Sequence, residues 1–292
     1  MFVRPVDFTT LVYDLLVYRD FDFIAIGLTN LGRYVDWTHA MLHSSNDVPW
    51  GWNFVGIADE DFDNWTEIIL TSLNETEIIE AASKLQQKFV YEVMPWFPTI
   101  TGLEFCTLAR EADPPAGRGE LMNLISMPNY GPSNDWSYMT LHWNYSWPGG
   151  AIRRVMGDEA KELNPWTDNT AYSWDLMNRA IVGLLAVSPI TLKNMPFIAT
   201  KWHIENWTSI PELGIEEGAT AQFHIRQDVT WHDGRPVTAY DCVANMRFIR
   251  EYKPGRYSRV WNHLVYEEAD GPYKFNVYFD QTSLYYADFV AR

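Results

Sequence analysis

The sequence predicts an α/β protein, and three segments support this fold class. Residues 7–16 place apolar side chains at helical spacing behind Asp7, which is a suitable N-cap. Residues 21–28 follow as an apolar run interrupted only by Asp22, a pattern typical of a buried, parallel strand. Residues 223–249 have the pattern of a strand, a turn and a helix. Helices that alternate with buried strands indicate an α/β architecture.

Length and composition limit the classes of function. The 292 residues suffice for one large or two medium domains, and 47% hydrophobic with 21% charged residues is typical of a globular chain. A net charge of -16 argues against nucleic-acid binding, which needs clustered lysine and arginine. The longest apolar run, residues 180–187, is far shorter than the roughly 20 residues of a membrane span. Residues 1–5 lead directly into the first helix, without the pattern of a signal peptide.

Aromatic residues make up 15% of the chain, which is the unusual feature of its composition. Aromatic rings fill cores, but they also stack on sugars and peptide side chains at recognition surfaces. We therefore expect most of them in the core and a few in a ligand site. The two cysteines, Cys106 and Cys242, are too few for a disulfide framework and are expected as small buried hydrophobic residues.

The segments between the first strand and the signature region predict further elements. Residues 27–63 are predicted to be mostly loop, and residues 172–187 to be a helix. Another helix is predicted to begin at Asn74, with Glu77 completing a capping box. Its predicted buried face comprises Ile78, Ile79, Ala82, Leu85, Phe89 and Val90. Pro95 ends this helix, residues 96–101 can form a strand, and residues 111–120 are predicted to be a linker because they are rich in proline, glycine and charge.

The residues after 230 predict a turn, a capped helix and a strand pair. Asp233 and Gly234 favour a turn. Thr238 can cap the following helix, and Asp241 stands three positions later, where it can complete the cap. A late strand pair is predicted around residues 264–266 and 274–279.

No motif for catalysis or for a metal is present. Nucleophile elbow, phosphate-binding loop, dinucleotide fingerprint and zinc-protease motif are all absent from the sequence. His39 and His43 are spaced to share a metal on a helix, but no third ligand is evident near them, so no metal site is predicted. Residues 59–63 resemble a calcium loop only superficially, because Asn64 and Leu70 stand where glycine and glutamate are needed. They are predicted to be a solvated acidic turn before a helix, and no catalytic residue and no cofactor are predicted.

The region around residue 230 resembles a known family. Residues 223–248 are similar to the signature region of the family 5 extracellular solute-binding proteins, the oligopeptide-, dipeptide- and nickel-binding components of ABC importers. The matching residues are Phe223, Arg226, Val229, Trp231, His232, Asp233, Gly234, Pro236, Thr238, Ala239 and Asp241. Residues 163–165, 197–202 and 265–279 resemble flanking motifs of the family in the expected order.

The N-terminal part resembles the opposite end of the same family. Residues 6–28 are similar to the late helix and strand of the second lobe, and residues 53–63 to the motif that follows. Residues 92–98 are similar to the return crossing into the first lobe. The resemblance therefore implies that the C-terminal part of a binding protein precedes its N-terminal part, in an incomplete chain.

The resemblance implies a fold and a division of the chain. The fold is periplasmic-binding-protein-like of type II, with parts of two α/β lobes and mixed sheets, incomplete or permuted. Residues 1–90 correspond to the late part of lobe II, 91–110 to the return segment, 111–120 to a linker, and 121–292 to the early part of lobe I.

The implied function is solute binding. The chain is expected to be the extracellular or periplasmic, cell-surface-associated component of an ABC importer. It would bind a peptide or an oligosaccharide in an interlobe cleft, without chemistry, and present it to permease subunits. In this interpretation His232 and Asp233 belong to the scaffold.

Ligand contacts are expected from two loops. The loop after residue 165 resembles one that contacts ligand in the family, which makes Thr170 and Tyr172 candidates. The segment after residue 27 resembles the place where peptide-binding members hold an aspartate for the peptide amino terminus. This chain has no acid at residues 28–31, so Asn30, Tyr34 and Trp37 are candidates for binding a neutral ligand.

Two alternatives stay open. The chain can be a degenerate or split half of a binding protein that acts as an interaction module with a complementary chain, because half-lobes leave apolar faces uncovered. A hydrolase built around the acidic residues 59–63 would need facing carboxylates in a cleft.

Overall fold

The computed structural model describes most of the chain and divides it into two compact units. The described residues are 5–6, 8–24, 35–49, 51–94, 121–127, 131, 134–143, 159–160, 162–168, 171–210, 215–254 and 257–291. Unit 1 comprises Met1–Thr101 with Gln281–Tyr285, and unit 2 comprises Gly102–Asp280 with Tyr286–Arg292. The predicted linker at 111–120 and the predicted strand at 96–101 lie outside the described residues.

The described part of unit 1 is helical. Its helices are α1 (Phe8–Tyr13), continued by the π-helix Asp14–Tyr18, then α2 (Trp37–Leu42), the 3₁₀ turn Ser44–Asn46, α3 (Glu60–Thr71) and α4 (Glu75–Lys88), continued by the π-helix Phe89–Val93. The predicted first helix is therefore confirmed, and it carries the buried Leu15 and Leu16. The segment 27–63, predicted to be mostly loop, contains α2 and the 3₁₀ turn.

The core of unit 1 lies between these helices. Phe62 and Ile69 of α3 are fully buried. They are seven residues apart, which places them on the same face of the helix. Asn53 is also fully buried, and its side chain accepts from the Ile57 amide and donates to the Ile57 carbonyl. These two bonds close the loop before α3 and satisfy a buried amide that would otherwise cost about 1–3 kcal/mol.

Helix α4 begins where the sequence predicts, with a different cap. The Asn74 side chain accepts from the Thr76 amide at 3.0 Å, whereas Glu77 accepts from the Ser72 hydroxyl at 2.8 Å. The predicted capping box is thus replaced by an N-cap and a separate contact with the preceding loop. The predicted buried face is correct for Ile78 and Leu85.

Two apolar residues of that predicted face are exposed. Ile79 is 58% exposed and Val90 is 41% exposed, and Ala81 is buried although the pattern did not include it. The helix presents Ile78, Ala81 and Leu85 to the core at spacings of three and four, which is a narrower stripe than the run of apolar residues indicates.

The buried parallel strand predicted at 21–28 is not present in its described part. Residues 21–24 have no strand structure, and Phe23 is 63% exposed. The prediction was wrong here because a short apolar run does not by itself specify a strand; it needs a neighbouring strand to pair with.

Unit 2 is a mixture of short helices and antiparallel strands. Its elements are β1 (Leu121–Met122), α5 (Asp135–Thr140), β2 (His142–Trp143), α6 (Ala171–Met177), β3 (Leu185–Val187), β4 (Asn194–Pro196), β5 (Ala199–Ile210), β6 (Ile215–Ile225), α7 (Ala239–Tyr252), α8 (Ser258–Trp261), β7 (Leu264–Ala269), β8 (Lys274–Phe279) and α9 (Tyr286–Ala291). The predicted α/β class, with both helices and sheets, is confirmed. Every strand pair among the described residues is antiparallel, so the expected mixed sheets are not seen there.

The helix predicted at 172–187 is much shorter in the structure. Helix α6 ends at Met177, and the chain then turns and enters β3 at Leu185. Ile181 and Val182, which the pattern placed in the helix, are 43% and 48% exposed. Gly183 lies so close to the Ala291 carbonyl that a side chain at this position would collide with it, and the Leu184 amide donates to the same carbonyl. This close approach to α9, which no local pattern encodes, fixes the turn.

A four-stranded sheet organises unit 2, with the order β5-β6-β8-β7. Side chains alternate between its two faces. One face carries fully buried residues, such as Phe223 of β6 and Phe275 of β8, which are cross-strand partners with ring centroids 6.1 Å apart. The opposite face is polar: Gln222 donates to Glu205, and Asn276 donates to Glu268.

Helix α7 covers the apolar face of this sheet. Met246 and Ile249 are buried in the same core cluster as the sheet residues. Cys242, on the same helix, is a free thiol, and burial raises its pKa to about 12. The predicted strand pair at 264–266 and 274–279 is confirmed as β7 and β8.

One carboxylate is buried between the sheet and α7. The Glu267 side chain is 1% exposed and accepts two hydrogen bonds from Arg250, at 2.8 and 2.9 Å, and a longer one from Arg247 at 3.5 Å. This bidentate contact with Arg250 is the geometry in which a guanidinium group binds a carboxylate most strongly. Glu267 thus ties α7 to β7.

In the part of the chain that the structure describes, no helix combines the length and the apolar character needed to cross a membrane.

We expect Glu267→Gln to lower the free energy of unfolding by about 1–3 kcal/mol, because it removes a buried charged acceptor. Both arginines reach solvent, which keeps the loss below that of a fully buried pair. The measurement is urea unfolding, with Glu251→Gln, an exposed residue of α7, as the control. Equal stabilities of the two variants would contradict a structural role for Glu267.

Candidate functional site

The residues of the signature segment form a turn that is held by hydrogen bonds between its own residues. Beyond β6, Arg226 donates to both carboxylate oxygens of Asp228 at 2.8 and 2.6 Å. Thr230 and Pro236 form an isolated bridge that closes the turn, and Gly234 has a φ of 86°. A positive φ of this size favours glycine, which explains the Asp-Gly pair at this position.

Asp233 acts inside this turn. Its carboxylate accepts from the Arg235 amide at 3.0 Å and from Arg235 Nε at 2.8 Å. These bonds hold the pKa of Asp233 below its usual range, with the backbone bond as the larger cause. Because its hydrogen bonds are local, Asp233 is suited to shaping the turn.

The turn delivers the chain to helix α7 through a cap. Asp241 Oδ2 accepts from the Thr238 amide and from the Thr238 hydroxyl, each at 2.8 Å. The carboxylate also lies in the first turn, where the helix dipole favours a negative charge. The predicted partnership of Thr238 and Asp241 is confirmed, and it fixes the residue at which α7 starts.

A second segment with family resemblance packs against α7. The Asn164 side chain accepts from the Trp166 amide at 3.0 Å and shapes the loop at 162–168. The Trp166 ring lies 4.6 Å from the Phe248 ring of α7 and 5.7 Å from the Tyr257 ring, and the Tyr257 hydroxyl donates to the Pro165 carbonyl. Aromatic packing therefore anchors the loop to α7.

The predicted ligand-binding residues are only partly within the described structure. Asn30, Tyr34 and Thr170 lie outside the described residues. Trp37 is the first residue of α2 and packs, partly buried, against the core of unit 1. Tyr172 lies on α6 of unit 2 and is 39% exposed. Their role as ligand contacts remains a prediction, and Tyr172 is the one whose side chain is open to solvent.

The acidic residues 59–63, predicted to be a solvated turn before a helix, are themselves the N-cap and the first turn of α3. The Asp59 side chain accepts from the amides of Asp61 and Phe62, which makes it the N-cap. Lys88 Nζ lies 2.7 Å from both Asp59 Oδ1 and Asp61 Oδ2. The hydrogen bond from Lys88 is the main cause that lowers the pKa of Asp59. These carboxylates are engaged in holding α3 and α4 together.

The histidine pair of α2 has a carboxylate beside it. His39 Nε2 lies 3.2 Å from Glu67 Oε2, and one ligand atom each from His39, His43 and Glu67 lie within 4.8 Å of one another. The sequence-based expectation that no third ligand is near the pair is therefore wrong. Asp63 and Glu67 have the same four-residue spacing as the histidines, but spacing alone does not tell which two helices pack together.

A family model matches the C-terminal third of the chain. Residues 195–291 match the model described as bacterial extracellular solute-binding proteins, family 5 Middle. The match contains β5, β6, the turn at 226–236 and α7. The resemblance to this family is thereby confirmed for these residues. The N-terminal resemblance and the reversed order lie outside the match and stay predictions.

The chain is similar over part of its length to several solved structures. NikZ from Campylobacter jejuni in complex with Ni(L-His) shares 19% identity over 46% of this chain and 25% of its own, with a TM-score of 0.36. Haemophilus influenzae OppA in complex with the peptide RPPGFSPFR shares 21% identity over 44% of this chain and 26% of its own, with a TM-score of 0.35. Burkholderia pseudomallei OppA shares 19% identity over 44% of this chain and 26% of its own, with a TM-score of 0.33. The chain thus spans about a quarter of their length, and no curated protein matches it.

Asp241→Ala is expected to destabilise the chain by about 1 kcal/mol, since it removes both bonds that hold the start of α7. Chemical unfolding followed by circular dichroism measures the change. Glu251→Ala, at the far end of the same helix, serves as the control, and a loss of the same size in both variants would count against the cap.

The contact between Lys88 and Asp59 predicts a pH dependence. The folded pKa of Asp59 lies below its ordinary value of 3.8, so the stability that it contributes is present above pH 3.8 and is lost as the pH falls through the folded pKa. Lys88→Met should therefore be less stable than the wild type at pH 7, with the difference shrinking below pH 3.8.

Denaturant unfolding of both proteins between pH 7 and pH 3 measures this difference. Lys84→Met, exposed on the same helix, is the matched control. A stability difference that stays constant over the whole pH range would contradict the assignment of the interaction to an ionised Asp59.

Proposed function

We propose that the chain is a solute-binding component of an ABC importer that holds its ligand without chemical conversion. The observation that carries this proposal is the family 5 match over residues 195–291, which includes the turn and the capped helix α7. Members of such a family bind in a cleft between two lobes, and closure shifts the population toward the form that the permease recognises.

The scaffold geometry is consistent with a binding role. Polar residues of the signature turn, among them Arg226 and Asp233, are engaged by neighbours within the turn. Glu267 is engaged by arginines of α7. Carboxylates committed to folding in this way are unsuited to general acid and base roles, which require a group in contact with substrate.

The ligand class is part of the proposal. We infer a peptide or an oligosaccharide, contacted by aromatic side chains such as Tyr172, since exposed aromatic faces stack on both classes. The absence of an acid at residues 28–31 favours a ligand without a free amino group at that place. The proposed location is extracellular or periplasmic, and the proposed partners are permease subunits.

The experiment is a thermal unfolding scan of the purified chain with pools of short peptides or of oligosaccharides. A ligand that binds only the folded state, at 100 times its dissociation constant, adds about 2.7 kcal/mol to the stability, enough to raise the unfolding midpoint. A rise with one pool identifies the ligand class, and a scan unmoved by either pool would contradict the proposed ligand classes.

Tyr172→Ala tests the contact directly. The variant should lose most of the ligand-induced rise while keeping its unliganded midpoint, because the side chain is 39% exposed. Tyr240→Ala, which removes a 58% exposed tyrosine from α7, is the matched control. A full ligand response in Tyr172→Ala would remove this residue from the site.

A second candidate function is an interaction module that associates with a complementary chain. The observation that favours it is the exposure of large apolar side chains in unit 1, where Phe23 is 63% and Tyr91 is 84% exposed. Light scattering distinguishes the two: a monomer stabilised by ligand supports the binding protein, and a defined oligomer without ligand response supports the module.

A further inference from the structure

Two helices of unit 1 bring two imidazoles and two carboxylates together. His39 lies on α2 and His43 immediately follows this helix, so their rings stack with centroids 4.4 Å apart and an angle of 29° between planes. Asp63 and Glu67 lie one turn apart on α3. Glu67 faces His39 at 3.2 Å, and Asp63 Oδ1 lies 3.8 Å from His43 Nδ1. Each imidazole thus has its own carboxylate.

Three of these side chains can converge on one ion. One ligand atom each from His39, His43 and Glu67 already lie within 4.8 Å of one another. Nitrogen and oxygen ligands about 2.0–2.2 Å from a zinc ion stand roughly 3–4 Å apart, so small side-chain rotations suffice. The histidine side chains are 21% and 19% exposed and Glu67 is 48% exposed, which leaves one side of the cluster open to water.

The surroundings of His39 disfavour its charged form. Burial lowers the pKa of His39, and the neighbouring His43 lowers it further, although Glu67 opposes both effects.

His43 is held by its neighbour Ser45. The Ser45 amide donates to His43 Nδ1 at 3.1 Å, and the Ser45 hydroxyl lies 2.8 Å from the same nitrogen. An ion that binds Nδ1 displaces the amide directly. An ion that binds Nε2 requires a proton on Nδ1, and that N–H can donate a hydrogen bond to the Ser45 hydroxyl oxygen. A hydrogen-bonded second nitrogen of this kind orients a metal-binding histidine.

We propose that His39, His43 and Glu67 form a binding site for a divalent transition-metal ion of the zinc type, with Ser45 orienting His43. Two imidazoles and one carboxylate, with a position left for water, form a donor set that zinc prefers. Calcium and magnesium favour oxygen ligands, and the two nitrogens argue against them. The ion would link α2 to α3.

The first test titrates zinc chloride into the chelator-treated chain of 292 residues by calorimetry. The wild type should show saturable binding of one ion per chain. His39→Gln and Glu67→Gln should each weaken it by about tenfold or more, since even partners outside the coordination shell typically contribute 10–100-fold. Glu67 is half exposed, so its variant is expected to fold even if the His39 variant does not.

A matched control separates this site from general surface binding. His203→Gln removes an exposed histidine that lies 3.8 Å from Glu205, a similar pair outside the cluster. This variant should bind zinc as the wild type does. Absence of saturable binding to the wild type, or unchanged affinity in Glu67→Gln, would overturn the proposal.

Cobalt provides a second readout. Co²⁺ bound by nitrogen and oxygen ligands in place of zinc should give visible absorption bands in the wild type and in His203→Gln. The same bands should be lost in Glu67→Gln. Bands that persist unchanged in Glu67→Gln would place the ion elsewhere and refute the site.

Discussion

The start of α7 is the constraint on which unit 2 depends. Asp241 binds both the amide and the hydroxyl of Thr238, and so determines the residue at which the helix begins. Since residues of a helix rotate by a fixed angle, the starting residue determines which side chains point at the sheet. Met246 and Ile249 then face the apolar side of the sheet, and Arg250 reaches Glu267. A start displaced by one residue would turn these contacts away together.

Sequence patterns predict well those elements whose signals are local. The cap of α7, the turn at Gly234 and the strands β7 and β8 are all encoded within a few residues, and the structure confirms them. The patterns fail where the outcome depends on distant partners. The run at 21–28 has strand character but no strand in its described part, and the turn between α6 and β3 depends on the close approach of Gly183 to α9.

The candidate sites differ in the same way, because one has a local sequence signal and the other depends on residues that are distant in the sequence. The family signature is visible in the sequence because its residues are contiguous. The cluster of His39, His43 and Glu67 instead depends on the packing of two helices, which no local pattern predicts. His39 and His43 were recognisable as a pair from their spacing, but Glu67 becomes their neighbour only when α3 lies beside α2. Tyr172 was identifiable only through family resemblance, since a single tyrosine in a short helix carries no signal of its own.

The partly buried thiol of Cys242 on α7 has a consequence for chemical modification. Thiol-directed reagents and oxidants attack the thiolate, and Cys242, with a pKa of about 12, holds almost none of it at neutral pH. Cys242 is partly buried and packs against the core of unit 2, which restricts access as well. This cysteine can therefore stay in place when a fluorophore or spin label is attached to a cysteine introduced on the surface of unit 2.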